Sequence, residues 1–260
     1  YKPCISLAGG IPVAVETTTE EGFRVNAKQL EAHLTCRTKA ILLGYPSNPT
    51  GATMPRALME EIVRFAEANG LYILSDEIYD RLTYEGEHTC VPSIKGAYDR
   101  TILFNGFSKA YAMTGWRIGY ICAPSDILAT MMKIHSYTML CAPITGQKAA
   151  IEALKGSEPQ VQDMVEQYGQ RRRVIVNGFN QIGLECHMPA GAFYAFPSIV
   201  STGLTSEEFA ERLLYEQHVA LVPGTAFGAG GANHVRCSYA TSIDKIEIAL
   251  ARIKCFVDSL

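Results

Sequence analysis

The first half of the chain alternates short apolar runs with helix-like segments, and this alternation restricts the fold more than any other feature. Four runs have the length and composition of buried strands: residues 39–45, 71–75, 101–105 and 118–124. Between the first two, residues 55–70 carry apolar side chains at helical spacing, with Pro55 suited to the first turn and Gly70 to the position after the end. Strands and helices joined by short connections predict a mainly parallel α/β sheet covered by helices.

The second half of the chain has a different order of elements, typical of an α+β arrangement. Three helices are predicted. One spans 160–179, a second begins at a capping box formed by Thr205 and Glu208, and a third spans 246–260. Strands are predicted at 191–199, 219–224 and 234–240. We therefore expect two domains, a large domain over residues 1–157 and a small C-terminal domain over residues 158–260.

The composition of the chain narrows the classes of partner and the compartment. A net charge of −3 with no basic excess does not favour nucleic-acid binding. The eight cysteines include no Cys-x-x-Cys pair and no ligand spacing, which predicts free thiols in a reducing compartment and no metal site. No apolar run approaches the roughly 18 residues that a membrane helix needs, and residues 1–4 carry no signal-peptide pattern. We expect a cytoplasmic protein that binds neither nucleic acid nor membrane.

Three polar clusters follow predicted strands of the first half. The turn after residues 39–45 holds Asn48, and the strand at 71–75 is followed by Asp76 and Tyr79. The strand at 101–105 is followed by Lys109 and Arg117. Because ligands bind at the carboxyl ends of parallel strands, these five side chains converge on one edge if the strands are neighbours.

These residue types together suit one cofactor. A lysine amine condenses with an aldehyde, and a carboxylate holds a pyridine nitrogen in its protonated form. A phenol and an amide bond a ring hydroxyl, and an arginine binds phosphate through two donors. This is the set of contacts that pyridoxal 5′-phosphate requires.

Six segments of the sequence, in order, resemble the signature segments of the class I/II aminotransferases, which are fold-type I pyridoxal-phosphate enzymes. They are YPSNPTG, SDEIYDRLTY, SKAYAMTGWRIGY, GAFYAFP, VPGTAFG and VRCSYA. The resemblance extends over essentially the whole chain and is nearest to the aspartate or aromatic aminotransferases. It implies pyridoxal 5′-phosphate as cofactor, a small-molecule amino acid and a 2-oxo acid as substrates, and a homodimer.

The resemblance also implies roles for individual residues. Lys109 matches the lysine that forms a Schiff base with the cofactor and then acts as the general base. Asp76 matches the partner of the pyridinium nitrogen and, buried near that cation, is expected to hold a low pKa. Tyr79 and Asn48 match the residues that bond the ring hydroxyl, and Arg117 matches a phosphate ligand.

Further residues carry substrate and phosphate contacts in the resemblance. Arg236, in VRCSYA, matches the arginine that binds the substrate α-carboxylate. Asn48 is also a candidate for binding the substrate. Ser108 is a candidate phosphate ligand, and Tyr194 is a minor candidate for approaching the site. Gly106 departs from many relatives, which carry a hydroxyl residue three positions before the lysine.

Relatives also carry a substantial segment before the point where this chain begins, so we expect the large domain to be incomplete. That segment supplies phosphate contacts, an aromatic ring stacked on the cofactor, and strands of the sheet. Two alternatives to the aminotransferase therefore stay open. One is another reaction on the same scaffold, either β-elimination by a C–S lyase or decarboxylation. The other is a folded remnant without activity of its own.

Overall fold

The computed structural model describes residues 1–260, with eight helices and seven strands. The helices are α1 (Lys2–Leu7), α2 (Ala27–Glu31), α3 (Arg56–Ala68), α4 (Ser125–Thr138), α5 (Ile144–Gly156), α6 (Glu158–Ile182), α7 (Ser206–Gln217) and α8 (Ile243–Val257). The strands are β1 (Ala40–Gly44), β2 (Tyr72–Asp76), β3 (Thr101–Gly106), β4 (Gly119–Cys122), β5 (Tyr194–Ala195), β6 (Val222–Pro223) and β7 (Val235–Ser238). No helix is long and apolar enough to cross a membrane.

The first sheet has the order β1-β2-β3-β4, so the four strands are neighbours in chain order. β1, β2 and β3 are parallel, which confirms the predicted mainly parallel sheet, whereas β4 runs antiparallel to β3. In the register, Gly44 pairs with Asp76, and Asp76 pairs with Phe104. The carboxyl ends of the three parallel strands therefore lie level, and the polar segments that follow them share one edge.

Helix α3 covers one face of this sheet, as its spacing predicts. Its buried side chains are Met59, Ile62, Val63 and Ala66, and they join Ile73 of β2 in one apolar cluster. The helix ends at Ala68, and Gly70 then takes a φ of +63°. A glycine reaches this left-handed conformation with little penalty, which explains its place after the helix.

A second apolar core lies in the C-terminal part, where α6, α7 and α8 surround the antiparallel sheet β5-β7-β6. Its fully buried aromatic side chains are Phe179, Phe209, Tyr239 and Phe256. The predicted capping box is present at the start of α7. The helices α5 and α6 are separated only by Ser157, and the division into two domains there stays a prediction.

Several elements differ from the sequence prediction. The short helices α1 and α2 and the longer helices α4 and α5 were not predicted. The strands of the C-terminal part are shorter than the predicted segments, with two residues in β5. Helix α4 has no buried residue, and Tyr137 on it is 93% exposed, so its apolar side chains follow no inward face within this chain.

The turn at residues 46–51 packs against residues 189–191, which brings the two parts of the chain into contact. The N–H of Gly191 donates to the carbonyl of Gly51 at 2.8 Å. A Cβ atom on Gly51 would meet the Pro189 ring and would lie 2.9 Å from the Gly191 carbonyl oxygen. A Cβ on Gly191 would lie 2.6 Å from Cβ of Pro46. Both glycines therefore permit a close approach that no larger residue allows.

Replacing Gly51 by alanine should destabilise the protein through two separate effects. The residue has a φ of +68°, which costs an alanine roughly 1–2 kcal/mol, and the added methyl group collides with the facing backbone. We expect a total loss of about 2–4 kcal/mol in chemical denaturation.

Gly70→Ala is the matched control, because Gly70 has a similar φ of +63° and nothing within 4 Å of the added Cβ. It should lose only the conformational part, roughly 1–2 kcal/mol. Equal losses for the two variants would show that the turn does not depend on close packing against residues 189–191.

Candidate active site

The level ends of β1, β2 and β3 bring the predicted site residues to one edge of the sheet. Asn48 lies in the turn after β1, and Asp76 is the last residue of β2. Lys109 follows the end of β3 by three residues, and Arg117 precedes β4. The strands are neighbours in the sheet, which is the condition that the sequence set for these side chains to converge.

Lys109 lies half-buried among aromatic side chains. Its Nζ atom is 6.0 Å from the ring centroid of Tyr79 and 5.6 Å from that of Phe193. The two rings meet edge to face, with centroids 5.4 Å apart. No carboxylate forms an ion pair with Lys109. An amine that lies beside aromatic rings and has no ion-pair partner is available for reaction with a carbonyl group.

Asp76 is half-buried at the end of β2. Its Oδ1 accepts the N–H of Ile78 at 3.1 Å, and its Oδ2 accepts the hydroxyl of Tyr1. Burial raises the pKa of Asp76, and the neighbouring Glu77 carboxylate raises it further. In the protein by itself, burial outweighs the backbone hydrogen bond and no cationic side chain offsets it, so the low pKa expected beside a cofactor cation stays a prediction.

Tyr79 and Tyr194 form a buried pair at the centre of the site. Their hydroxyl oxygens are 2.7 Å apart, and the two side chains are 6% and 7% exposed. Burial, and then the bond to Tyr194, raise the pKa of Tyr79 far above its usual range. The Tyr79 phenol therefore stays neutral and can donate a hydrogen bond near neutral pH.

Arg236 joins the C-terminal part to the sheet edge. Its Nη1 donates to Oδ1 of Asn48 at 2.8 Å, which brings together two predicted substrate contacts. The guanidinium lies 4.6 Å from the ring centroid of Tyr194 and 4.8 Å from that of Phe227. Its Nε is buried and has no hydrogen-bond partner. A guanidinium with an unused donor at such a site fits a carboxylate ligand.

The candidate phosphate ligands lie on the segment between β3 and β4. Arg117 is exposed, has a φ of +57°, and donates from Nη1 to the Thr114 carbonyl at 2.9 Å. The Thr114 hydroxyl in turn donates to the Ser108 carbonyl at 2.9 Å. Arg117 forms no ion pair with an acid, so its remaining donors are free for an anion.

Gly106 has a steric reason for lacking a side chain. A Cβ there would lie 2.9 Å from the Ile118 carbonyl oxygen and 3.0 Å from Cα of Gly119. The backbone of the neighbouring β4 thus closes in on this position. A hydroxyl residue, such as many relatives carry, would require that backbone to move.

Glu77, next to Asp76, is a buried residue that supports the site through its hydrogen bonds and was not predicted from the sequence. Its carboxylate is 2% exposed and accepts the Ser75 hydroxyl and the Val91 N–H, each at 2.9 Å. A third contact, of 2.7 Å, joins it to Nε2 of His88. These bonds tie the loop at 88–91 to the end of β2 and so fix the backbone that carries Asp76.

Phe193 and Tyr194 also belong to the site, although Tyr194 was only a minor candidate from the sequence and Phe193 was not a candidate. The segment GAFYAFP was recognised, but a hydroxyl pair between positions 115 residues apart has no local signal. The adjacent aromatic residues were the only available indication. The structure places one beside Lys109 and the other beside Tyr79 and Arg236.

The sequence profile of the aminotransferase class I and II family matches residues 1–253. The chain belongs to this family. It is 50% identical over 257 residues to the protein YugH of Bacillus subtilis (strain 168), covering 99% of this chain and 67% of the relative. It is 44% identical over 257 residues to an aspartate aminotransferase of Pyrococcus abyssi, covering 98% of this chain and 66% of the relative.

A solved structure shows the same fold. The aromatic aminotransferase from Pyrococcus horikoshii OT3 superposes with a TM-score of 0.98 at 42% identity, over 100% of this chain and 70% of that one. The chain thus spans about two thirds of the length of the proteins that it matches. The fold-type I assignment is confirmed, together with the family resemblance of the six sequence segments.

The residues at the sheet edge fit pyridoxal 5′-phosphate by the chemistry of their side chains. An amine without an ion pair, a half-buried carboxylate, a neutral phenol and an amide lie on consecutive strand ends. The buried Nε of Arg236 has no partner within the protein, which leaves a donor for the carboxylate of an amino acid. The described residues therefore match the aldehyde, the ring nitrogen and the ring hydroxyl of the cofactor, and the carboxylate of the substrate.

Replacing Asp76 by asparagine should stabilise the cofactor-free protein at neutral and alkaline pH. Because the folded state holds the Asp76 proton more tightly than the unfolded state does, the wild type loses stability as pH rises through the raised pKa. The amide removes this loss and still accepts the Ile78 N–H. The melting temperature of D76N should exceed that of the wild type at pH 8, and the difference should shrink as pH falls toward 4.

Asp163→Asn, at an exposed position on α6, controls for the loss of one negative charge. A gain for D76N that is the same at every pH, or that Asp163→Asn shares, would contradict the burial of the Asp76 carboxylate as the cause.

Proposed function

We propose that this protein is a pyridoxal-phosphate-dependent aminotransferase that moves an amino group between an amino acid and a 2-oxo acid. The observation that carries this proposal is the position of Lys109 at the shared edge of three parallel strands, beside the Tyr79 ring. The family membership and the aspartate and aromatic aminotransferases among its relatives support it.

The residues at the strand ends hold and tune the cofactor in this proposal. When bound, pyridoxal phosphate supplies an aldehyde for amines and a ring that accepts electrons. Asp76 keeps the ring nitrogen protonated, and that cation stabilises the buried carboxylate in turn. Tyr79 and Asn48 bond the ring hydroxyl. Arg117, with Ser108, binds the phosphate.

Lys109 carries the proton transfer. Its Nζ takes the proton from the α-carbon of the amino acid, with the side chain guided by the aromatic floor of Tyr79 and Phe193. Arg236 binds the α-carboxylate through donors that include its free Nε, and Asn48 fixes the guanidinium from the opposite side. This arrangement orients the α-carbon toward the lysine.

The wider setting is part of the proposal. All eight cysteines are free thiols in the structure, which fits a reducing compartment such as the cytoplasm.

We also propose a homodimer, and the exposed apolar side chains of α4 support an interface on that helix. We assign no residue to contact with the substrate side chain, so an aspartate-like donor and an aromatic donor both fit the site.

The assignment of Lys109 is tested by trapping. The chain is incubated with pyridoxal phosphate, reduced with borohydride and digested, and the labelled peptides are mapped. We expect an absorbance band from the bound cofactor and a label on Lys109 alone, because its nitrogen lies beside the Tyr79 and Phe193 rings without an ion pair. Lys109→Ala should lose the label, and Lys148→Ala, on α5, is the control that keeps it.

Label distributed over surface lysines would contradict the proposed site. Release of pyruvate from cysteine or cystathionine without an added 2-oxo acid would favour the C–S lyase instead. Specific label without any turnover would show a bound cofactor in a chain that is inactive by itself.

A further inference from the structure

Tyr194 contacts two residues of the proposed site with different parts of one side chain. Its hydroxyl oxygen lies 2.7 Å from that of Tyr79, and its ring lies beneath the Arg236 guanidinium at 4.6 Å. Tyr79 serves the cofactor and Arg236 serves the substrate in the proposed function. Tyr194 therefore contacts a residue of each binding function.

The backbone that carries Tyr194 is fixed on both sides. The hydroxyls of Tyr84 and Tyr239 both donate to the carbonyl of Ala192, two residues before it. Tyr194 itself pairs with Ser238 through β5 and β7, and its side chain is 7% exposed. A side chain held in this way has little freedom, so it can impose an orientation on its neighbours.

The hydroxyl contact determines where the Tyr79 proton points. If the Tyr194 hydroxyl donates to the Tyr79 oxygen, then the Tyr79 proton is directed away from Tyr194 and toward the site. Hydrogen bonds in such a chain strengthen one another. Loss of the Tyr194 hydroxyl would weaken donation by Tyr79 without removing the Tyr79 phenol.

The ring contact acts on Arg236 separately. An aromatic face attracts a guanidinium, most strongly where both are shielded from water. Asn48 holds the guanidinium at Nη1, while Nε is buried and without a partner. The Tyr194 ring therefore keeps the guanidinium plane in place while a donor remains free for a ligand.

We propose that Tyr194 is a positioning residue that orients the Tyr79 phenol through its hydroxyl and the Arg236 guanidinium through its ring. This inference rests on the proposed function, since it assigns Tyr194 to the cofactor and carboxylate contacts of that site. Its two parts make separate predictions, because the hydroxyl and the ring can be removed one after the other.

The test compares Tyr194→Phe, Tyr194→Leu and the control Tyr45→Phe. Tyr45 is also a hydrogen-bonded tyrosine, whose hydroxyl donates to the Phe23 carbonyl at 3.0 Å. For each protein, the absorbance of bound pyridoxal phosphate is titrated with pH, and the dissociation constants of maleate and 3-phenylpropanoate are measured. The borohydride label on Lys109 is mapped in parallel.

Tyr194→Phe should raise the midpoint of the absorbance titration by roughly 0.5–1 pH unit, the equivalent of one hydrogen bond. When Tyr79 donates a weaker hydrogen bond, the hydroxyl oxygen of the cofactor ring becomes a better acceptor. The proton that it shares with the Lys109 nitrogen is then held more tightly and is lost at a higher pH. Affinity for the two carboxylates should change less than about twofold, because the ring remains. Tyr194→Leu should show the same shift and also weaken carboxylate binding about 3- to 30-fold.

The outcomes separate this inference from the proposed function. If the wild type takes no label on Lys109, the proposed function fails and the inference fails with it. If the wild type is labelled and Tyr194→Phe titrates like Tyr45→Phe, the role of the hydroxyl is overturned and the proposed function stands. If Tyr194→Leu binds both carboxylates as tightly as Tyr194→Phe does, the role of the ring is overturned.

Discussion

The contact between the turn at 46–51 and residues 189–191 is the constraint on which the site depends. Two glycines, Gly51 and Gly191, let the backbones approach within a distance that a Cβ atom would prevent. This approach brings Asn48 to Arg236, a bond of 2.8 Å between residues 188 positions apart. Without it, the sheet edge would hold the groups for a cofactor and the C-terminal part would hold a carboxylate ligand, but the two would not form one site.

The two adjacent acids at the end of β2 show how the same strand serves structure and chemistry. Glu77 is buried and satisfied by two close donors and a histidine, so it stabilises the local backbone. Asp76 is half-buried with fewer partners, and its raised pKa records the cost of keeping an anion there. A cationic ring nitrogen would remove that cost. The protein therefore keeps an unfavourable charge where its proposed ligand makes it favourable, as functional sites commonly do.

The sequence was sufficient for elements whose apolar side chains face their own core. Helix α3 and strands β1 to β3 were predicted because their patterns match the buried positions, and the strand ends then located Lys109 and Asp76. Helix α4 was missed because none of its residues is buried in the chain. Tyr194 was undervalued because its partners are distant in sequence, and the raised pKa of Asp76 arises from burial without a cationic side chain nearby, a balance that the sequence alone does not show.

If both parts of the chain form one binding site, hydrogen–deuterium exchange will show protection by ligands in both parts. Exchange is measured for the whole chain alone, with pyridoxal phosphate, and with pyridoxal phosphate and maleate together. We expect the cofactor to slow exchange in peptides covering 44–51, 76–82 and 104–117, and maleate to add protection at 191–197 and 234–240. Protection that stays within residues 40–120 under every condition would contradict a single binding site, because Arg236 and Tyr194 would then lie outside the site.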